Sequence, residues 1–188
     1  MNVVGCNDNS DIVEDISPGG DVILVVGPCN VQLRVQSQCL RDASKVFRDM
    51  LDPDRTEPPN LSGETIQRVS LAKDNADALR TICCVIHHRN HMVPQAVTPK
   101  DVLRLALEAK KYDLLVALKY ASASWLKPSG DEVMVDMAYL MAAAFVFSDM
   151  DTFAAHTLAL ILNYKGSYLG LLEDDTVSRV IPWNTFCR

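Results

Sequence analysis

Two short apolar runs separated by a four-residue turn restrict the fold of this chain more than any other feature. Asp21-Val22-Ile23-Leu24-Val25-Val26 is rich in β-branched residues and apolar on both faces, as a strand covered on both sides must be. Val31-Gln32-Leu33-Arg34-Val35-Gln36 alternates apolar and polar residues strictly, as a strand with one wet face does. Gly27-Pro28-Cys29-Asn30 between them is turn chemistry, and Ser17-Pro18-Gly19-Gly20 marks a turn before them. The pair reads as a β-hairpin. A lone hairpin cannot stand in water, so the rest of the chain must cover it.

Beyond the hairpin the pattern is mainly helical. Ser37 can cap a helix over 37–51, with Leu40, Ala43, Phe47, Met50 and Leu51 on one face. Pro53, Pro58, Pro59 and Gly63 make 52–63 a loop, and 65–71 reads as a third strand with Val69 and Leu71 on one side. Asp74 is expected to cap the next helix, whose buried stripe is Leu79, Ile82, Cys83 and Ile86. A loop or short strand over 90–97 precedes Thr98-Pro99-Lys100-Asp101, a strong helix start with Pro at the first helical position. Asp113 is expected to open a helix to Leu126, with Leu114, Leu118, Ala121 and Trp125 as its stripe. Helices are expected over 131–147 and 150–164, the second ended by Gly166, with short turns over 169–172 and 176–181. The expected class is α+β: a small three-stranded sheet with surrounding helices, then an all-helical C-terminal extension.

Charge separates the chain into three parts. Residues 1–17 carry four acids and no base, 18–130 carry 15 bases and 12 acids, and 131–188 carry 3 bases and 8 acids. The net charge of −6 argues against nucleic acid as a partner, because phosphates must be met by Lys and Arg. Residues 1–17 read as an acidic tail, with at most a short strand at 12–16. The six cysteines show no CxxC spacing and read as free thiols in a reducing compartment. No signal peptide or membrane span is visible, so the expected location is intracellular, in cytoplasm or nucleus.

The ordered series of motifs resembles one family. Gly20 to Gly27, then Leu33-Arg34-Val35, then Leu40-Arg41-Asp42-Ala43-Ser44-Lys45-Val46-Phe47 is similar to the opening of BTB/POZ domains. Val69-Ser70-Leu71, Ala78-Leu79 to Ile86-His87, Leu103 to Ala109, Lys111-Tyr112-Asp113 and Trp125-Leu126 resemble its later elements. Pro18 to Asp21, Ile86-His87 and Val93-Pro94 give the style of fungal members. The resemblance implies a domain over 18–128 and a helical extension over 129–188, the latter expected to stop short of the family's usual length.

It also implies a protein–protein interaction module without catalysis or cofactor. Such a module would form homo- or hetero-oligomers, or serve as a substrate adaptor for a cullin-type ubiquitin ligase. Asp21, Leu40 and Phe47 are the interface candidates, and Tyr112 and Trp125 join them as structural residues. The chain departs from the family at three places. Gln36 and Ser37 stand where many members carry His and then a basic residue, so the aspartate matched by Asp21 lacks its cation. The apolar N-terminal helix used for strand-swapped dimers is missing. No hydrophobic-x-Glu element for cullin contact is identifiable between Asp52 and Glu64.

One cluster supports an alternative. Cys83, Cys84, His87, His88 and His91 fall at spacings that could place thiolate and imidazole on one helix face, for zinc or for a Cys/His-dependent enzyme. Cys83, however, shares the stripe of Leu79, Ile82 and Ile86, where a small apolar residue packs. Packing is therefore the expected role. Lys110, Lys111, Lys119 and Lys127, near Tyr112, Tyr120 and Trp125, read as a solvated face. The helix from Met134 to Phe147 is apolar on more than one face, which requires deep burial or a partner.

Overall fold

The computed structural model describes residues 12–52, 66–130, 132–164 and 175–181. They form two compact units. One comprises the described parts of Met1–Pro94 together with Lys111–Leu118, and the other those of Gln95–Lys110 and Lys119–Arg188.

The first unit is built on a mixed four-stranded sheet in the order β1-β3-β2-β4. Its strands are β1 (Val13–Asp15), β2 (Val22–Val26), β3 (Val31–Val35) and β4 (Gln67–Leu71). β2 and β3 form the expected antiparallel hairpin, and β4 lies parallel to β2 on its other side. Val22, Ile23, Leu24 and Val26 are buried, as a central strand with two covered faces requires. Leu24 lies between Leu33 and Val69, and Val26 between Val31 and Leu71. Gly20 closes the approach to β2. A Cβ there would stand 2.4 Å from the Val35 carbonyl oxygen, so only glycine fits.

The sheet has four strands, not three. β1 runs parallel to β3 and takes the end of what reads as an acidic tail into the fold. Ile16 behind it is fully buried, Glu14 pairs with Arg80 at 2.6 Å, and Arg89 Nε donates to the Ile16 carbonyl. The short strand read within 12–16 is present, although two of its three residues are acids. Their partners lie roughly 20 to 70 residues away.

The expected helix over 37–51 is two helices, α1 (Ser37–Ala43) and α2 (Lys45–Met50). Ser44 is extended between them, accepts the Phe47 N–H and donates its own hydroxyl to the Tyr112 carbonyl. α3 (Ala76–Ile86) is capped by Asn75, whose side chain accepts from Ala78 N–H; the expected cap, Asp74, is buried instead. A single 3₁₀ turn, Asn90–Met92, comes next.

Helices α4 (Pro99–Lys111), α5 (Lys119–Trp125), α6 (Met134–Phe147), α7 (Met150–Asn163) and α8 (Asp175–Ser178) complete the order of elements, and all but the last residue of α4 belong to the second unit. Thr98 bonds to Asp101 at the start of α4, as its sequence predicts. Asp113 does not start a helix. Its φ is +54°, a left-handed conformation that interrupts the chain, and α5 begins only at Lys119. α6 is the centre of the second unit, with Ala138 to Ala144 buried in an unbroken run. It packs against α7 and α8. His156 on α7, buried, donates Nε2–H to the Leu126 carbonyl beyond α5. Gly166 and the turn expected over 169–172 lie outside the described residues.

Cys29, half-buried in the hairpin turn, is disulfide-bonded, which corrects the reading of six free thiols. A turn can bring a thiol to a distant one, whereas an apolar stripe shields it. Cys39, Cys83 and Cys84 are free. Among the described residues no helix is long and apolar enough to cross a membrane.

Candidate functional site

The region where the hairpin meets α1 gathers several of the singled-out residues. α1 receives no cap from the side chain of Gln36, so its first N–H groups need other partners. Asp21, just before β2, provides one. Its Oδ1 accepts the Ser37 N–H at 2.7 Å and its Oδ2 the Ser37 hydroxyl at 2.6 Å. Burial alone would raise the Asp21 pKa, but the two hydrogen bonds from Ser37, with Arg41 nearby, outweigh it and hold the carboxyl below the usual value. A serine thus satisfies the aspartate where the family resemblance leads one to look for a cation.

His87 completes this junction. Its Nε2 accepts the Gln36 N–H at 3.0 Å, and its Nδ1 bonds the Cys83 carbonyl at 2.8 Å. Since Gln36 N–H can only donate, Nε2 must be the bare nitrogen and Nδ1 the protonated one. Burial pushes the His87 pKa down, with His88 and Arg89 acting the same way against the pull of its hydrogen bonds. Nδ1 thus fixes the ring to α3, and Nε2 ties it to Gln36 at the start of α1.

The remaining members of the Cys/His cluster do not converge on His87. Cys83 and Cys84 are buried, and burial pushes both thiols up, that of Cys83 far above the usual range. A thiol so placed stays protonated and is a poor nucleophile or ligand. His88 and His91 are exposed, and His88 has φ +59° just past the end of α3. Among the described residues no group of three or more His, Cys, Asp or Glu is arranged to hold a metal ion.

Leu40 and Phe47 have no exposed surface and point to the core of the first unit. Phe47 stacks on Tyr112 with ring centroids 4.5 Å apart and planes at 5°. The Tyr112 hydroxyl donates to Asp74, whose other oxygen binds Lys111. Ser44, Phe47, Asp74 and Tyr112 thus form one buried assembly that fixes the 111–118 segment to α2 and to the turn before α3. Asp74 is legible in the sequence only as a polar residue ahead of a helix. Lys111 is exposed, as a solvated face requires, and also pairs with the buried Asp74.

The accessible side of α1 and α2 is left to Gln38, Asp42, Lys45, Arg48, Asp49 and Met50. Gln38 bonds Asp42, and the Arg48 guanidinium donates twice to the Arg41 carbonyl. This is a mostly charged surface on which Gln38, Asp42 and Arg48 are held in place by local hydrogen bonds. No model of a known protein family matches the chain, and no curated protein is significantly similar to it.

Proposed function

We propose that the chain is a protein–protein interaction module of the BTB/POZ type that assembles with itself or with a protein partner and performs no chemistry. The observation that carries this reading is the order of elements: a hairpin, a broken helix pair, a strand returning parallel to the first hairpin strand, and a helix anchored by His87. These elements sit on the residues whose sequence resembles that family. The domain would span 18–128 and the helical extension 129–188.

Two details shape the proposal. Ser37 rather than a cation satisfies Asp21, so a charged pocket at that aspartate is not the means of recognition. Leu40 and Phe47 lie inside, so the partner would meet the exposed residues of α1 and α2 instead. Use as a cullin-type ligase adaptor is part of the proposal, as is a location inside the cell. The disulfide at Cys29 runs against a reducing compartment.

The alternative, an enzyme or metal protein using residues 83–91, draws no support from buried, protonated thiols and a histidine with both nitrogens engaged. Chemical crosslinking of the purified chain, alone and with a purified cullin N-terminal domain, tests the proposal. Crosslinked species are expected for the native chain, Cys83→Ala and His88→Ala alike. Crosslinks in neither mixture, or turnover that vanishes with either substitution, would overturn it.

A further inference from the structure

Cys29 sits in the hairpin turn, Gly27 to Asn30, and is disulfide-bonded. The turn seats it firmly. Gly27 N–H donates to the Leu71 carbonyl at 3.0 Å, and Asn30 N–H closes the turn on the Gly27 carbonyl at 3.1 Å. Of the other five cysteines, Cys39, Cys83 and Cys84 are free. The partner is therefore Cys6 or Cys187, both outside the described residues.

The direction of β1 selects between them. β1 runs parallel to β3, with Val13 opposite Gln32. The chain therefore enters β1 from the end of the sheet where the turn with Cys29 lies. Cys29 stands three residues before Gln32, a span of at most about 10 Å, and Cys6 stands seven residues before Val13, a reach of about 23 Å. A disulfide needs α-carbons roughly 4.4–6.8 Å apart, and neighbouring strands lie about 4.8 Å apart. Cys6 thus has length to spare. Cys187 is 158 residues from Cys29 along the chain, against 23 for Cys6, and closing the longer loop costs more chain entropy.

We propose that a Cys6–Cys29 disulfide ties the acidic N-terminal segment to the hairpin turn, and that a dithiol reductant opens it, so that the bond is a redox-sensitive latch on β1. One thiolate of the reductant attacks a sulfur of the bond, and the departing protein thiolate takes up a proton. The reductant's second thiol then displaces the other protein sulfur, so two protein thiols form as the dithiol becomes a disulfide. Cys29 is half-buried between the exposed Pro28 and Asn30, which leaves it open to such a reductant. Cys83 and Cys84 do not compete, being buried and protonated. β1 is only three residues long and carries Glu14 and Asp15, so a covalent tie ahead of it limits how far it can leave β3. The latch stands apart from the interaction reading and does not depend on it.

The test starts from the purified full chain equilibrated with glutathione disulfide. Free thiols are alkylated on denaturation, and cleavage after Glu14 and Arg34 puts Cys6 and Cys29 on separate peptides that carry no other cysteine. Mass spectrometry should find these two peptides joined, in the native chain and in Cys187→Ser alike. Hydrogen exchange at Val13, Glu14 and Asp15 should quicken by about tenfold or more in dithiothreitol, and to the same extent in Cys6→Ser without it. Exchange at Leu24 should stay slow in both states. Cys29 joined to Cys187 or to a second chain, Cys29 alkylated or carrying glutathione, or β1 exchange indifferent to reduction would overturn the proposal. So would loss of protection at Leu24, which would make the bond a staple of the whole sheet and not a latch.

Discussion

The two units hold together in different ways. The first is tied by polar contacts between residues far apart in sequence: Asp21 with Ser37, Gln36 with His87, Glu14 with Arg80, and Asp74 with Lys111 and Tyr112. The second relies on an alanine-rich helix buried along consecutive positions, Ala138 to Ala144, with His156 as a buried polar anchor. It also leaves apolar side chains in solvent, Leu158, Ile161 and Leu162 on α7 among them. Directional contacts fix a single geometry, while small-residue packing fixes closeness but not what meets the outer face.

The contrast can be broken most forcefully at Phe47. Phe47→Ala removes a fully buried ring stacked on Tyr112 and should cost about 3–5 kcal/mol in chemical denaturation. A loss below about 1 kcal/mol would mean that the assembly around Tyr112 does not exist. Gly20→Ala should cost about 1–3 kcal/mol, since the new methyl meets the Val35 carbonyl and the backbone must shift. Ala143→Leu is the counterpart in the second unit and should cost a similar amount, by overfilling α6 packing. Hydrogen exchange would show whether each loss stays within its own unit.

A smaller effect in the first unit depends on pH. His87 is held below its ordinary value of 6.5, so the unfolded chain binds the proton more readily than the folded one. Its contribution is complete above about pH 6.5 and is lost as pH falls through the folded value. Asp21, also lowered, behaves likewise in a window below 3.8. Denaturation midpoints at pH 7.5 and 5.5 should differ for the native chain and differ less for His87→Gln. The smallest expected effect is on α7. Leu162→Gln, at a position 71% exposed, should change stability by less than about 0.5 kcal/mol.

How much of the fold is legible in the sequence depends on the range of the interactions. The β2–β3 hairpin, β4, the Thr98-Pro99 helix start and the long apolar helix α6 follow from local pattern, and all are present. Ser44 breaks the first helix because it bonds Tyr112, 68 residues on, which no local window records. Asp74 and Asp113 both look like helix caps by position. One is drawn inward by Tyr112, and the other adopts a left-handed turn. β1 is held by β3 and Arg80 rather than by its own propensity. At the candidate site, Asp21 stands out as a residue of interest, but its partner Ser37 reads only as a helix cap. Cys83 is legible as packing because its stripe is local, whereas the engagement of His87 with Gln36 spans 51 residues.

Whether the chain associates at all is decided by size-exclusion chromatography with multi-angle light scattering across a concentration series. The monomer mass is 20.8 kDa. An interaction module should give a mass above that value for the chain alone, or a peak containing both proteins when it is mixed with a cullin N-terminal domain. A constant mass of one chain at every concentration, with no complex in the mixture, would contradict the proposed function.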